Sequence, residues 1–239
     1  MELTPDAIIL FEAGGFAVNA TIFNTWIIIA VLTVGSWLIT RNLRPDIPPN
    51  RWRTMLEVIV QILQSQIAEI TGGGARRVLY FSGTLFLFIF ISNVLSVVPG
   101  FRSPTGSLST TAGLAAAVLI AVPIFGITSR GVGGYLKTYV QPSPIMLPFN
   151  IIAEVSRGLS LAIRLYGNVM SGAVIAAILL GVAPFFFPVA MDMLGLLTGV
   201  IQAYIFAVLA TVYISSAIAP SMPSVSEKMP SVSEKKEIP

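Results

Sequence analysis

Five polar side chains lie at helical spacing inside an apolar stretch, residues 150–171 (NIIAEVSRGLSLAIRLYGNVMS). Positions three, four and seven residues apart share one face of a helix. Counted from Arg164, that face carries Arg157, Ser160, Asn168 and Ser171. An arginine keeps its proton at working pH, and placing it at the centre of a bilayer costs about 2.5–3.5 kcal/mol on insertion scales. We therefore expect Arg164 to face a partner, a water-filled cavity or an ion pathway.

Two acidic residues are candidate partners for these arginines. Glu154 lies three residues before Arg157, a spacing at which the two could pair along the helix. Glu154 is roughly 15 Å along the helix from Arg164 and cannot neutralise it. Asp192 is the next charged residue after Arg164. The partner of Arg164 must come from another helix or another chain, which leaves open a buried ion pair with Asp192 or a counter-ion role in an ion path.

The composition is that of a polytopic membrane protein. The chain has 239 residues, of which 55% are hydrophobic and 10% charged, and its mean hydropathy is +0.85. Soluble domains carry about 25% charged residues. We expect one integral membrane domain, residues 1–220, followed by a disordered polar tail, residues 221–239, which repeats MPSVSEK. The net charge of +3 does not indicate nucleic acid as a partner, because the basic residues cluster beside apolar segments.

The residue types that are missing exclude several chemistries. The chain contains no cysteine and no histidine. Disulfides, thiol nucleophiles, imidazole bases and the usual zinc ligands are therefore excluded. No phosphate-binding loop motif occurs either. We expect a protein without cofactor or metal site.

Five apolar segments are predicted to cross the membrane, and together they predict an all-α polytopic fold. About 20 helical residues span the hydrocarbon core. The last two segments each run for about 30 residues, or ~45 Å, which predicts a steeply tilted helical hairpin. Residues 51–71 are amphipathic and are predicted to form an interfacial helix. The predicted spans are residues 22–40, 78–101, 110–128 (with a kink at Pro123), 149–180 and 189–219.

Basic clusters predict the orientation. Arginine and lysine are enriched in cytoplasmic loops. Such residues occur at 41–53, at 76–77 and at Arg130 and Lys137. We therefore expect the N-terminus outside, residues 41–77 and 129–148 inside, and the tail inside.

Three motifs resemble subunit a of F-type ATP synthases. They occur in that family's order and at its spacing, across about residues 22 to 218. The motifs are SLAIRLYGN at 160–168, QAYIFAVL at 202–209, and the group formed by residues 93–100, 103–105 and 110–115.

The resemblance implies a non-catalytic stator subunit that couples flow of H⁺, or possibly Na⁺, to rotation and ATP synthesis. The implied partners are a rotor ring of c subunits, b-type peripheral-stalk subunits, the soluble F1 sector and the lipid of a bacterial inner membrane. Arg164 would face the passing ring carboxylate, with an offset aqueous half-channel on either side. Gln202 would pack near Arg164 across the hairpin. The expected ion-translocation residues are Arg164, Asn168, Gln202, Asp192, Glu154 and Arg157.

The sequence departs from the family at two positions of the outer half-channel. Many members carry a glutamate where this chain has Ala173, and many bacterial members carry a histidine where it has Gly195. Asp192 lies three residues from Gly195 on the same helical face, where it could restore the lost acid. The alternative is a capping or structural aspartate near the turn.

Two other functions compete with the stator role. A secondary transporter could bind an anionic solute at Arg164, and such proteins often show internal repeats. No repeat relates the two halves of this chain. A structural scaffold is the third alternative, although it gives no reason for an arginine inside an apolar helix.

Overall fold

The computed structural model describes residues 9–13, 16–41, 51–71, 75–98, 101–140, 143–182 and 187–218. Five of the helices are long and apolar enough to cross a membrane, so the predicted all-α polytopic arrangement is confirmed for the membrane-spanning part. The elements are β1 (Ile9–Ala13), β2 (Phe16–Asn19), α1 (Ala20–Thr40), α2 (Arg51–Thr71), α3 (Ala75–Leu95), α4 (Leu108–Val140), α5 (Met146–Val182) and α6 (Phe187–Ile218).

Helices α3 to α6 enclose the main core. Small residues let α6 approach its neighbours closely, while larger apolar side chains fill the remaining space. Phe206 of α6 and Leu165 of α5 are fully buried at the centre of this cluster. Helix α5 therefore has a packed side and an outward side, and this determines where its polar stripe points. The cluster consists of Leu85, Ile89, Ala115, Val118, Leu161, Ala162, Leu165, Ala203, Phe206 and Ala210.

Helix α2 has the predicted bounds and lies against the core rather than apart from it. Leu63 and Ile67 are buried on its inner face. The hydroxyl of Tyr204 donates to Gln66 Oε1 at 2.9 Å, and Ser215 Oγ donates to the Ile70 carbonyl at 3.1 Å. These contacts tie α2 to α6.

The N-terminal region contains an element that the sequence analysis did not predict. β1 and β2 pair as an antiparallel hairpin, with Phe11 opposite Val18 and Ala13 opposite Phe16. Helix α1 follows directly and starts at Ala20. Short two-stranded hairpins carry little pattern for sequence reasoning to detect.

Helix α4 breaks at Gly131, whereas the sequence predicted a kink at Pro123 and a span ending at residue 128. Gly131 has a φ of 75°, a left-handed conformation that glycine adopts without steric cost. The following segment folds back, so that the Tyr135 ring lies against Gly126. A Cβ at Gly126 would be only 2.5 Å from that ring. We call residues 132–140 the return arm.

The other bounds differ from the prediction by a few residues. Helix α3 ends at Leu95, and turns at residues 96–98 replace the last part of the span predicted to reach residue 101. A single 3-10 turn, Pro104–Gly106, then leads into α4. Helices α5 and α6 have 37 and 32 residues, which confirms their predicted length. The tail, residues 42–50 and the α5–α6 turn at residues 183–186 lie outside the described residues.

Candidate functional site

The polar stripe of α5 faces away from the helical core. Arg164, Arg157 and Ser160 are exposed, whereas Leu161 and Leu165 on the other side are buried. No hydrogen bond or ion pair joins Arg164 to another described residue. Around it the exposed surface is apolar, with Leu159 and Ile163 more than half exposed, at 59% and 55%. Arg164 is thus a cation without a hydrogen-bond or ion-pair partner among the described residues, on a surface suited to contact with lipid or another membrane protein.

A cavity of about 330 Å³ lies on the side of the chain nearer the α5–α6 turn, and we call it the turn-side cavity. It is bounded by the end of α3, the α3–α4 loop, the second half of α5 and the first half of α6. Its polar lining combines side chains from all four segments. These are Asn93, Ser96, Arg102, Ser103, Asn168, Asp192 and Thr198.

Asp192, Ala173 and Gly195 all line the turn-side cavity. The spacing of Asp192 and Gly195 along α6 predicted that these two residues share one helical face. The Asp192 side chain is exposed, and Arg164 does not belong to the lining of this cavity. The alternative of a buried Arg164–Asp192 ion pair is therefore wrong. The physical reason is that the arginine points outward from α5, whereas the aspartate faces the space between the helices.

A buried hydrogen-bond cluster supports the wall of the turn-side cavity. Asn93 Nδ2 donates to the Gly199 carbonyl at 2.9 Å, and Asn93 Oδ1 accepts from Thr105 Oγ1 at 3.2 Å. Ser103 and Thr105 share a hydroxyl–hydroxyl bond of 2.6 Å. Asn93 therefore both bonds across helices and lines the cavity. The cluster joins α3, the α3–α4 loop and α6.

A second cavity of about 170 Å³ lies at the other end of the hairpin, near the last turn of α6, and we call it the tail-side cavity. The return arm, the first half of α5 and the end of α6 form it. Its lining includes Tyr135, Thr138, Tyr139, Asn150, Glu154, Arg157 and Ser216. A narrow neighbouring pocket shares Glu154 and Arg157 and extends toward Leu161.

Glu154 and Arg157 do not form the pair that their spacing allowed. The Tyr139 hydroxyl donates a hydrogen bond to Glu154 Oε2. The guanidinium of Arg157 instead lies over the Tyr213 ring of α6, 5.5 Å from its centroid. The return arm thus supplies a hydroxyl partner to the acid, and the long arginine side chain reaches a neighbouring helix with a cation–π contact.

Gln202 is buried in the core of α6, where only 6% of its surface is exposed. Its Nε2 atom has no hydrogen-bond partner among the described residues. No hydrogen bond joins it to Arg164 in the part of the chain that the structure describes, so their predicted proximity stays a prediction. A buried amide nitrogen without a partner is unfavourable, which marks this position as one where a further polar group is expected.

Arg164 lies between the two cavities along α5. Asn168, four residues further on, lines the turn-side cavity, and Arg157, seven residues earlier, lines the tail-side cavity. At 1.5 Å per residue these positions lie about 6 Å and 10 Å from Arg164 along the axis. The structure therefore brings Asn168 and Asp192 together on one side of Arg164, and Glu154 and Arg157 on the other.

Two tyrosines of the tail-side cavity were not among the predicted site residues. Tyr135 and Tyr139 are four residues apart, and on a helix this spacing places them on one face. That signal was present in the sequence. The contact of Tyr139 with Glu154 could not be predicted from the sequence, because it depends on the direction of the return arm after Gly131.

Comparison with known proteins gives a consistent family match. Residues 22–215 match the family described as ATP synthase A chain. The chain is similar to a protein named ATP synthase subunit a 2 of Acaryochloris marina, with 57% identity over 217 residues, covering 91% of this chain and 93% of the relative. It is also similar to ATP synthase subunit a of Albidiferax ferrireducens, with 54% identity over 217 residues, covering 91% and 94% of the two chains.

Proposed function

The chain belongs to the ATP synthase A chain family, and from this membership we propose how it conducts ions. It is a multi-pass membrane protein of the F0 sector, with a stator role in ion transport and ATP synthesis. The finer proposal is that ions pass between the two cavities only by way of a partner that moves past Arg164.

The position of Arg164 between two separate cavities carries this proposal. The residue is exposed, it lines neither cavity, and its neighbours on α5 line one cavity each. A fixed positive charge between two aqueous spaces repels a free cation that would otherwise cross directly. A carboxylate on a passing rotor subunit is the group that Arg164 would attract.

The turn-side cavity is the proposed half-channel on one side of Arg164. Asp192 supplies the acid that Ala173 lacks, and Asn168 places an amide close to the level of Arg164. The Asp192 carboxylate can take up and release a proton, carboxylate and amide oxygens can both bind hydrated cations, and a cavity of about 330 Å³ has room for several waters. An ion could therefore approach the rotor surface from this side.

The tail-side cavity is the proposed half-channel on the other side. Glu154 is its acidic group, and the Arg157 cation is stacked on Tyr213 rather than paired with that acid. Among the described residues no cation forms a salt bridge with Glu154, so its carboxyl remains available to an ion that enters this cavity.

Rotation follows from these parts by a simple electrostatic argument. A loaded, neutral rotor carboxyl can enter the membrane, whereas an ionised one is stabilised beside Arg164. The rotor site would therefore unload into one cavity, pass Arg164 as a carboxylate, and reload from the other. Gln202 would help to hold Arg164 during this passage. The subunit itself supplies no catalytic group, and ATP synthesis takes place on the soluble F1 sector.

The proposed assembly includes a c-type rotor ring, b-type peripheral-stalk subunits and the F1 sector in a bacterial inner membrane. From the basic clusters we propose that the N-terminus lies outside and the tail in the cytoplasm. In this orientation the turn-side cavity opens outward and the tail-side cavity opens to the cytoplasm.

Purification and reconstitution test the proposal. The chain should copurify with a ring of small subunits and an ATPase, and the assembled complex in liposomes should synthesise ATP when an ion gradient is imposed. The chain alone should not accumulate solutes. Uptake of an anionic solute by the isolated chain would contradict the stator proposal and favour a secondary transporter.

A further inference from the structure

The two oxygens of the Glu154 carboxyl have different surroundings. Oε2 accepts a hydrogen bond from the Tyr139 hydroxyl. Oε1 is buried and has no hydrogen-bond partner among the described residues. A buried carboxylate oxygen without a partner is unfavourable, and a water molecule, a proton or a cation would relieve that cost. Glu154 as a residue lines the tail-side cavity, and this is the space from which such a partner could reach its carboxyl.

The hydrogen bonds at Tyr139 have a defined direction. A phenol carries one hydroxyl proton, and Tyr139 directs it to Glu154. In the 2.7 Å contact between the two hydroxyls, Tyr135 must therefore be the donor and Tyr139 the acceptor. The chain of donors runs from Tyr135 through Tyr139 to Glu154. Each bond in such a chain polarises the next one toward the carboxylate.

The surrounding structure holds Tyr139 at this position. The return arm brings the Tyr139 ring against the Tyr135 ring, with centroids 5.0 Å apart in an edge-to-face arrangement. Asn150 Nδ2 donates to the Tyr139 carbonyl at 3.0 Å and so connects the arm to α5. Gly126 leaves the space that the Tyr135 ring fills.

We propose that Tyr139 is a positioning residue for Glu154, oriented by Tyr135, and that it holds the carboxyl so that Oε1 alone receives the ion in the tail-side cavity. This inference rests on the proposed function, because it assigns a role within the same ion path. Stacking of Arg157 on Tyr213 is part of the arrangement, since it keeps the nearest cation from taking Oε1.

Ion uptake by the reconstituted membrane sector, driven by a potassium-diffusion potential, tests the role of Tyr139. Tyr139→Phe removes one hydrogen bond to a charged group and should slow uptake about tenfold. Tyr135→Phe should slow it less, because it removes only the polarising bond. Tyr80→Phe is the matched control, since this tyrosine is 67% exposed on α3 and lines none of the described cavities, and uptake should be unchanged.

A double-mutant cycle separates positioning from a merely structural role. In a Glu154→Gln background, Tyr139→Phe should cause no further slowing, because the group on which it acts is already lost. Additive slowing would overturn the inference. If Tyr139→Phe fails to assemble with the ring, Glu154→Asp decides instead, since it draws the acid away from Tyr139 by one methylene and should slow uptake to a similar extent.

The outcomes also distinguish this inference from the proposed function. Normal uptake in Tyr139→Phe or Glu154→Asp, together with slow uptake in Glu154→Gln, would overturn the positioning role and leave the tail-side path intact. Normal uptake in Glu154→Gln would contradict the proposed tail-side path itself, and therefore also the role proposed for Tyr139.

Discussion

Asp192 of α6 and Ala173 of α5 line the same cavity, although they belong to opposite helices of the hairpin. The family resemblance implies an acid at the position of Ala173, and this chain places its acid across the cavity instead. A carboxyl can act on the same aqueous space from either wall. The cavity therefore retains an acidic group although the sequence lacks the usual glutamate.

Asp192→Asn should slow ion-driven ATP synthesis severely while leaving assembly intact, because it removes the acid but keeps the shape of the side chain. Adding Ala173→Glu should recover part of the rate, since the new carboxyl enters the same cavity. The measurement is ATP synthesis by the reconstituted complex at a fixed ion gradient. A near-normal rate in Asp192→Asn would make this residue structural and contradict its place in the half-channel.

Arg164→Ala should abolish coupled ATP synthesis and ATP-driven pumping while passive ion leak persists or grows. The variant removes the fixed charge that forces a rotor carboxyl to discharge before it passes. The measurement is ion uptake beside ATP synthesis in liposomes under a potassium-diffusion potential. Preserved coupled synthesis would exclude the mechanism, whereas loss of both leak and synthesis in an assembled complex would indicate that Arg164 lines the path.

Arg164→Lys should also couple poorly, although it keeps a positive group. An ammonium lacks the planar fork of the guanidinium, its side chain is shorter, and it can lose its proton in an apolar environment. The same liposome assay provides the measurement. Full coupling in this variant would show that any cation is sufficient at this position.

Gly199→Ala should destabilise the protein and disturb the turn-side cavity. A Cβ at this position would lie 2.9 Å from both Cβ and Cγ of Asn93, whose amide bonds to the Gly199 carbonyl. Overpacking of this kind costs on the order of 1–3 kcal/mol. Gly113→Ala is the control, because apart from the adjacent backbone of its own helix no atom of the described residues lies within 4 Å of the added Cβ. Thermal unfolding in detergent should show a lower midpoint for Gly199→Ala alone.

Introduced cysteines test the orientation without background labelling, because the natural chain has none. A cysteine at residue 3 should react with an impermeant thiol reagent added outside intact cells, and one at residue 230 should not. The basis is the cytoplasmic excess of basic residues. The reverse labelling pattern would contradict this orientation, and the turn-side cavity would then open to the cytoplasm.

Properties that follow from local composition could be predicted from the sequence. The membrane spans were predictable because an apolar run of about 20 residues is long enough to cross the hydrocarbon core as a helix. The stripe that contains Arg157, Arg164 and Asn168 was evident because helical periodicity alone decides which residues share a face. The shared face of Asp192 and Gly195 was predictable on the same ground, and the structure places both on one cavity.

Contacts between elements were decided only by the tertiary structure. Spacing along α5 allowed a Glu154–Arg157 pair. In the structure Glu154 bonds to Tyr139 and Arg157 stacks on Tyr213, and both tyrosines belong to other segments of the chain. Their position depends on one left-handed residue, Gly131, since a single backbone dihedral sets the direction of the whole return arm. The outward orientation of Arg164 likewise depends on which side of α5 packs into the core. The sequence by itself therefore determined the helices and their polar faces, whereas packing and the break at Gly131 decided which groups meet.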